Sequence, residues 1–432
     1  MKWLVPGMNI KRWLILLFLG VVGFSLGAGL VALYVLRAVR LEGTASTAVA
    51  ATTLQFIPRV ERAVIIVGIG LIVVVISLLR LSRSLLSVVL PGPRSQVAEM
   101  IYRRRKLPRG PRVVAIGAGS GLSSVLRGMK EYTSNLTAVV TVAEPAGGTA
   151  GWDESFGILP GGDVGDCIVA MSDEEPLMGR LFLYRFGAES GLEGHSFGSL
   201  FIVALAHITG SFEKALREIG RVLAVRGQIL PSTLSTVRLV VQAEGDAYGA
   251  CPAPAPTEPL VRIEPAEVVA YADAVRAIRE ADMVVIGPGN LLTGVLPTVL
   301  IPGIHEALLA SRALKVFVGN VASEAEDPAG GDVLEQVKLL QSHAGSGLFD
   351  YVVANDNVSL TLPPLWGSQL VRCSGPLAGD LQDLRLVEMD VIDTEDPRRH
   401  HAGKLSEALM KLFYDQSPRR RAALTSAAVT AA

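Results

Sequence analysis

Two kinds of hydrophobic pattern divide this chain of 432 residues. Residues 13–36 form a run of 24 without a charge, and residues 63–79 form a second run of 17. From residue 112 the pattern changes, and short apolar runs alternate with stretches whose apolar positions recur every three or four residues. Unbroken short runs suit strands buried on both faces, and the wider spacing suits amphipathic helices. The pattern predicts strands at 113–116, 136–143, 228–230, 237–243, 283–286, 315–318 and 351–353. It predicts helices at 122–132, 163–171, 175–186, 196–209, 212–225, 266–279, 304–311 and 333–343, with a short one beginning near 291. Strands separated by helices argue for an α/β domain around a mostly parallel sheet covered on both faces. Residues 245–259, which contain CPAPAPTEP, read as an exposed excursion, and the tail 416–432 has no packing pattern.

The formal net charge of −1 averages two opposite pieces. Residues 1–112 hold 16 Lys and Arg against three acids, whereas residues 113–432 hold 24 against 38. At about 1.5 Å per residue the first uncharged run is long enough to cross a bilayer, and the second sits at the short end of that range. Residues 1–90 are therefore expected to form a two-span transmembrane hairpin, followed by a basic juxtamembrane linker at 91–111. Lys2, Lys11 and Arg12 precede the first run, nine Lys and Arg follow the second up to Arg112, and only four lie between the runs. That bias puts the hairpin in the cell membrane with both termini and the 112–415 domain on the cytoplasmic side. Tyr102 to Lys106 would lie against anionic headgroups. Gly23 and Gly27 form a GxxxG spacing that suits either a dimer face or the ordinary small residues of membrane helices.

Composition narrows the rest. Half the residues are hydrophobic and 19% are charged, which excludes a disordered chain and a nucleic-acid binder working through bulk positive charge. Cys167, Cys251 and Cys373 are widely spaced, which excludes a disulfide scaffold and a structural zinc site and suggests a reducing compartment.

The candidate chemistry sits in loops. Gly117-Ala-Gly119-Ser120-Gly121 lies between a strand and a helix, where glycines let the backbone turn sharply and the free N–H groups of the helix start favour a phosphate. Glycines at a tight βα turn also occur without any ligand. Leu122 occupies the third glycine position of the dinucleotide fingerprint, and no Gly-Lys-Ser/Thr is present, which excludes a P-loop. Glu144 ends the second strand, 23 residues beyond Gly121; an acid there holds a ribose hydroxyl in dinucleotide domains, or is a solvated strand end. A second loop, Gly287-Pro-Gly289-Asn290, also follows a strand. Two such loops at the carboxyl ends of parallel strands are expected to face one crevice. Asp163 and Asp166, three apart, either hold a divalent metal such as magnesium or cap a helix. His195, followed by Ser196, is a candidate general acid or phosphate ligand, or a loop histidine within a helix cap.

At this point the residues resemble a known family. GAGSGLSSVLRGMK, LTAVVTVAE, PGGDVGDCIVAMSDEEPLM, GLEGHSFGSLFIVAL, VLAVRGQILPST and ADMVVIGPGNLLTGVLP are similar to segments of the YvcK-type gluconeogenesis factors, which share a superfamily with the CofD-type phospholactate transferases. The order and spacing hold from about residue 112 to 356, and HHAGKLSEAL resembles the family's closing helix. The resemblance implies a Rossmann-like, doubly wound fold whose glycine loops hold a nucleotide-type ligand. For the gluconeogenesis branch it implies a UDP-sugar and a regulatory role in cell shape and wall synthesis. For the transferase branch it implies a metal-dependent transfer of a phospholactyl group to a deazaflavin, with Asp163 and Asp166 as the catalytic pair.

The chain departs from the family pattern at Pro145 and Trp152, which replace an aspartate and an arginine, and at Val164 to Asp166. An anion would then depend on backbone N–H groups and helix dipoles. The ligand set expected on this reading is Gly117, Gly119, Ser120, Gly121, Glu144, Asp163, His195, Ser196, Gly287, Gly289 and Asn290, with no structural metal. Expected partners are a nucleotide-sugar, the membrane, a second copy of the chain and wall-synthesis proteins. A nicotinamide-dependent oxidoreductase is the further reading left open by the spacing of Gly121 and Glu144.

Overall fold

The structure is a computed structural model, and it describes residues 107–416 apart from 146–161, 174, 188–191, 193–194, 244–245, 249–259, 324–330 and 376–380, together with the isolated helical positions Val21, Val22, Ser25 and Gly29. The chain divides into two units, Met1–Arg105 and Lys106–Ala432. The two expected membrane runs, 13–36 and 63–79, lie outside the described residues but for those four positions, as does the tail beyond residue 416. Among the described residues no single helix is long and apolar enough to cross a membrane.

The second unit runs β1 (Val113–Gly117), α1 (Gly119–Met129), β2 (Leu136–Val140), β3 (Ala143–Pro145), α2 (Gly162–Met171), α3 (Glu175–Phe182), α4 (Phe197–Thr209) and α5 (Phe212–Val222). It continues with β4 (Gln228–Pro231), β5 (Val237–Ala243), β6 (Asp246–Tyr248), β7 (Leu260–Glu264), α6 (Ala272–Glu280) and β8 (Met283–Ile286). A π-helical turn (Leu291–Val295), α7 (Leu296–Val299), α8 (Pro302–Ala310), β9 (Leu314–Val318), α9 (Val333–Ala344), β10 (Tyr351–Asn355), β11 (Arg385–Met389) and α10 (Ala402–Gln416) complete it.

Seven strands form the main sheet in the order β11-β10-β9-β8-β1-β2-β4, and every pairing is parallel. The chain starts at β1, builds outward to β2 and β4, then returns to β8 on the other side of β1 and builds outward again. The strand order therefore reverses between β1 and β8, the two central strands, as the doubly wound reading requires.

Alternation along each strand explains why both faces are covered. On β1, Val114 and Ile116 join a core with β8 residues Val284 and Ile286, helices α6, α8 and α9, and strands β5 and β7. Val113 and Ala115 point the other way, into a core with α1, α2 and α10. Side chains in a strand alternate sides, so an unbroken apolar run is needed when neither face meets water. Local capping fits the sequence as well: Ser196 Oγ accepts from Ser199 N, Ser211 Oγ from Lys214 N, and Gly210 ends α4 in the left-handed conformation.

Three of the expected elements are shortened or redirected where a tertiary contact captures the backbone. The second strand stops at Val140, and the chain then enters a separate four-stranded sheet, where β3 pairs in parallel with β5 and β5 pairs antiparallel with β6 and β7. The helix expected from 266 begins only at Ala272, because Thr233 Oγ1 donates to the Val269 carbonyl and Tyr271 N donates to the Ser232 carbonyl. The helix expected to reach 186 stops at Phe182, because Phe197 N bonds Tyr184 O and Phe186 N bonds His195 O.

Candidate functional site

The two glycine loops leave adjacent strands at the reversal point and touch each other. A Cβ on Gly121 would lie 2.5 Å from the Pro288 carbonyl oxygen, and one on Gly289 would lie 2.9 Å from the Ala118 carbonyl oxygen. Both sites are backbone-on-backbone contacts, so nothing flexible can yield, and only glycine fits. These two glycines thus serve the seam between the loops before they serve any ligand. Helix α1 starts beside the seam with Ala118 at the N-cap and no side-chain cap, which leaves its first N–H groups without an internal partner.

A cleft of about 300 Å³ opens over this seam. One side is formed by Ser120, Gly121 and Ser124 of α1 together with Pro288 and Gly289; Asn320 to Ser323, beyond the end of β9, form the next wall. Arg398, Arg399 and His400, which precede α10, close it.

The arginine wall is held by its own turn. Asp396 accepts from Arg398 Nε at 2.9 Å and lies 3.2 Å from Arg399 Nε. The hydrogen bond from Arg398 holds the Asp396 carboxyl below the usual carboxylate range. The Arg398 guanidinium stacks over Trp366, 4.3 Å from the ring centre. Next to them His400 turns inward, and its Nε2 lies 3.0 Å from the Gly319 carbonyl. A carbonyl only accepts, so Nε2 carries the proton. Burial pushes the imidazole pKa down to about 4, against the raising effect of that bond.

The expected ligand residues fall into separate places. Ser120, Gly121 and Gly289 line the cleft. Gly117, Gly119 and Gly287 shape the turns behind it. Gly289 has its N–H and C=O both bonded to the Asn320 side chain, so both of its backbone polar groups are already engaged. Asn290 caps the π-helical turn by accepting from Thr293 N. Asp163 lies in the first turn of α2, and its side chain is outside the described residues.

Asp166 sits half-buried on the same helix; burial raises its carboxyl pKa, and Arg399, Arg127 and Arg185 act in the opposite direction. Asp166 is not among the residues that line the cleft. His195 and Ser196 lie at the start of α4 and do not line this cleft; the Ser196 hydroxyl is a helix cap. Glu144 is not at the end of β2 but on β3 in the smaller sheet, in register with Arg238, because the chain changes sheets after Val140. Among the described residues no group of three His, Cys, Asp or Glu is placed to hold a metal ion.

The pattern reading overlooked Asn320, Arg398, Arg399 and His400. Two guanidinium groups line the cleft beside the backbone groups, supplied from a segment near the C-terminal end. A signal was present in Gly319-Asn320, which follows β9 much as Gly289-Asn290 follows β8, and in Pro397-Arg398-Arg399-His400, a basic cluster outside any periodic element.

The chain is similar to known proteins over this region. The family model for 2-phospho-L-lactate transferase CofD matches residues 113–395. A putative gluconeogenesis factor of Nostoc sp. (strain PCC 7120) is 37% identical over 428 residues, covering 95% of this chain and 92% of that protein. The gluconeogenesis factor of Bacillus subtilis (strain 168) is 32% identical and covers 70% of this chain and 98% of its own length. A crystal structure of a Bacillus halodurans protein superposes with a TM-score of 0.62 at 31% identity, covering 70% of this chain and 99% of that one. With the doubly wound sheet, the paired glycine loops and a match across most of the second unit, the chain belongs to the 2-phospho-L-lactate transferase CofD family and is a homologue of the gluconeogenesis factors.

Proposed function

We propose that this protein is a gluconeogenesis-factor-type regulator that binds a UDP-sugar in the cleft at the strand-order reversal and supports cell shape and wall synthesis. The observation that carries the reading is the cleft itself: uncapped N–H groups at the start of α1 on one side, and Arg398 and Arg399 on the other. A diphosphate carries the charge and acceptor oxygens that such a pair of walls recognises. The Bacillus subtilis relative is named a gluconeogenesis factor and the Nostoc relative a putative one, which supports the gluconeogenesis-factor part of the reading. We also propose that residues 1–90 anchor the protein in the cell membrane with the second unit facing the cytoplasm. The two uncharged runs with basic flanks support this.

Calorimetric titration of the full chain in detergent with UDP-glucose tests the first part, with saturable 1:1 binding expected. A folded protein that gives no heat with any UDP-sugar refutes it. Carbonate extraction of membranes tests the second part; release of the chain into the supernatant refutes the anchor.

A second reading, metal-dependent phospholactyl transfer to a deazaflavin, is favoured by the family match over residues 113–395. Asp163 and Asp166 would hold the magnesium, though the described residues assemble no donor set of three. Turnover with a deazaflavin acceptor that disappears in Asp163→Asn supports it; absence of both turnover and metal binding ends it.

A further inference from the structure

The cleft wall beyond β9 is held by a lattice of buried side chains that no ligand-binding role explains. The peptide joining Gly319 to Asn320 is gripped at both of its polar ends: its carbonyl accepts from His400 Nε2 at 3.0 Å, and its N–H donates to Gln336 Oε1 at 2.9 Å. Both gripping side chains are removed from water, Gln336 at 0% exposure and His400 at 6%. A peptide bonded in this way cannot rotate without breaking two buried hydrogen bonds.

Fixing that peptide fixes where the Asn320 side chain points. It points at Gly289, which donates its N–H to Asn320 Oδ1 at 3.0 Å and accepts from Asn320 Nδ2 at 3.0 Å. The side-chain amide thus bonds two successive peptides, through the N–H and the C=O of Gly289. Gly289 in turn abuts Ala118, and Pro288 abuts Gly121, so its placement sets the seam on which the ligand cleft rests.

Gln336 lies on α9, one layer behind the cleft, and is not among its lining residues. Its Nε2 is buried without a hydrogen-bond partner. An unmatched buried donor is tolerated where the other half of the amide is needed, because a hydrocarbon side chain of the same length supplies no acceptor for the Asn320 N–H. Exchanging the amide's oxygen and nitrogen would bring two donors together, so the orientation follows from the Asn320 N–H.

We infer that Gln336 and Asn320 are positioning residues: Gln336 orients the Gly319–Asn320 peptide, and through it Asn320 locks the second glycine loop in the form that receives ligand. Their role in binding rests on the cleft being the UDP-sugar site, whereas the relay itself does not.

Amide hydrogen exchange on the full chain in detergent tests the relay without any ligand. Gln336→Met removes the acceptor while keeping length, and it is expected to speed exchange at Asn320 and Gly289 by about tenfold, the loss of one hydrogen bond, while Val285 and Val316 remain protected. Gln336→Glu, whose neutral carboxyl keeps an acceptor, restores slow exchange at both. Asn320→Ala, at the cleft surface, speeds exchange at Gly289 but leaves position 320 protected by Gln336. Unchanged exchange at Gly289 in Asn320→Ala, or uniform loss of protection across β8 and β9 in Gln336→Met, overturns the relay.

Titration with UDP-glucose forms the second arm. About tenfold weaker binding in Gln336→Met, recovered in Gln336→Glu, supports the positioning role, and equal binding in all variants overturns it. Wild-type protein that binds no UDP-glucose refutes the ligand assignment alone, and the exchange data still decide the relay.

Discussion

Replacing Gly121 by alanine is the sharpest test of how the two glycine loops fit together. Gly121 lies in the first turn of α1, where alanine by itself favours the helix by about 1 kcal/mol. Against this, the new Cβ would stand 2.5 Å from the Pro288 oxygen, 2.6 Å from its carbonyl carbon and 2.8 Å from the Gly289 nitrogen. Ordinary contact needs about 3.4 Å or more, so the backbone of one loop must move by nearly 1 Å, and overpacking of that kind costs roughly 1–3 kcal/mol. The net expectation is a loss of about 1 kcal/mol, with distortion directed at the cleft floor.

Gly220 is the control. It also lies in a helix, α5, but a Cβ there meets nothing within 4 Å, so Gly220→Ala is expected to gain about 0.5–1 kcal/mol. Urea unfolding of both variants, followed by far-UV circular dichroism with m-values compared, reads the difference. If Gly121→Ala gains stability as Gly220→Ala does, the loops have room to separate, and the account of the seam is wrong.

Three further outcomes follow from the geometry. Arg399→Ala is expected to weaken UDP-glucose binding by tenfold or more, on the order of one charge-assisted hydrogen bond, yet change unfolding by less than about 0.5 kcal/mol, because its ion pair with Asp396 is exposed. His400 binds its proton more weakly in the fold, with a pKa of about 4 against an ordinary 6.5, so its contribution is complete above pH 6.5 and is lost as pH falls toward 4. The loss approaches roughly 3 kcal/mol, and His400→Gln should flatten that part of the stability–pH profile measured by urea midpoints. Asp166 is the opposite case: burial raises its carboxyl pKa, so its contribution is present at low pH and declines as pH rises through the folded value. Asp166→Asn should therefore raise the thermal midpoint at pH 7 and tighten UDP-glucose binding at low salt, whereas loss of a magnesium-dependent turnover in that variant favours the transferase reading.

Much of the fold was legible because local rules and the global arrangement agree. Val113 to Ile116, Leu136 to Val140 and Met283 to Ile286 are apolar without a break, which only a sheet covered on both faces permits, and these are the central strands. The helix starts at Ser196 and Ser211 were readable from capping chemistry. Where the pattern misled, as at Glu144 and at the delayed start of α6, distant hydrogen bonds or strand pairings had overridden a local preference.

The amino-acid sequence alone determined the alternating α/β architecture, the two glycine loops and the opposite charge of the two parts of the chain, because periodicity and backbone freedom are properties of short segments. Only the tertiary structure decided what completes the cleft. Arg398, Arg399 and His400 lie more than a hundred residues beyond the second glycine loop, and Gln336 acts through a single buried oxygen. Such residues share no spacing with the loops they serve. Their proximity comes from parallel strands β1, β8 and β9 ending side by side, an arrangement set by packing of the whole sheet rather than by any local stretch.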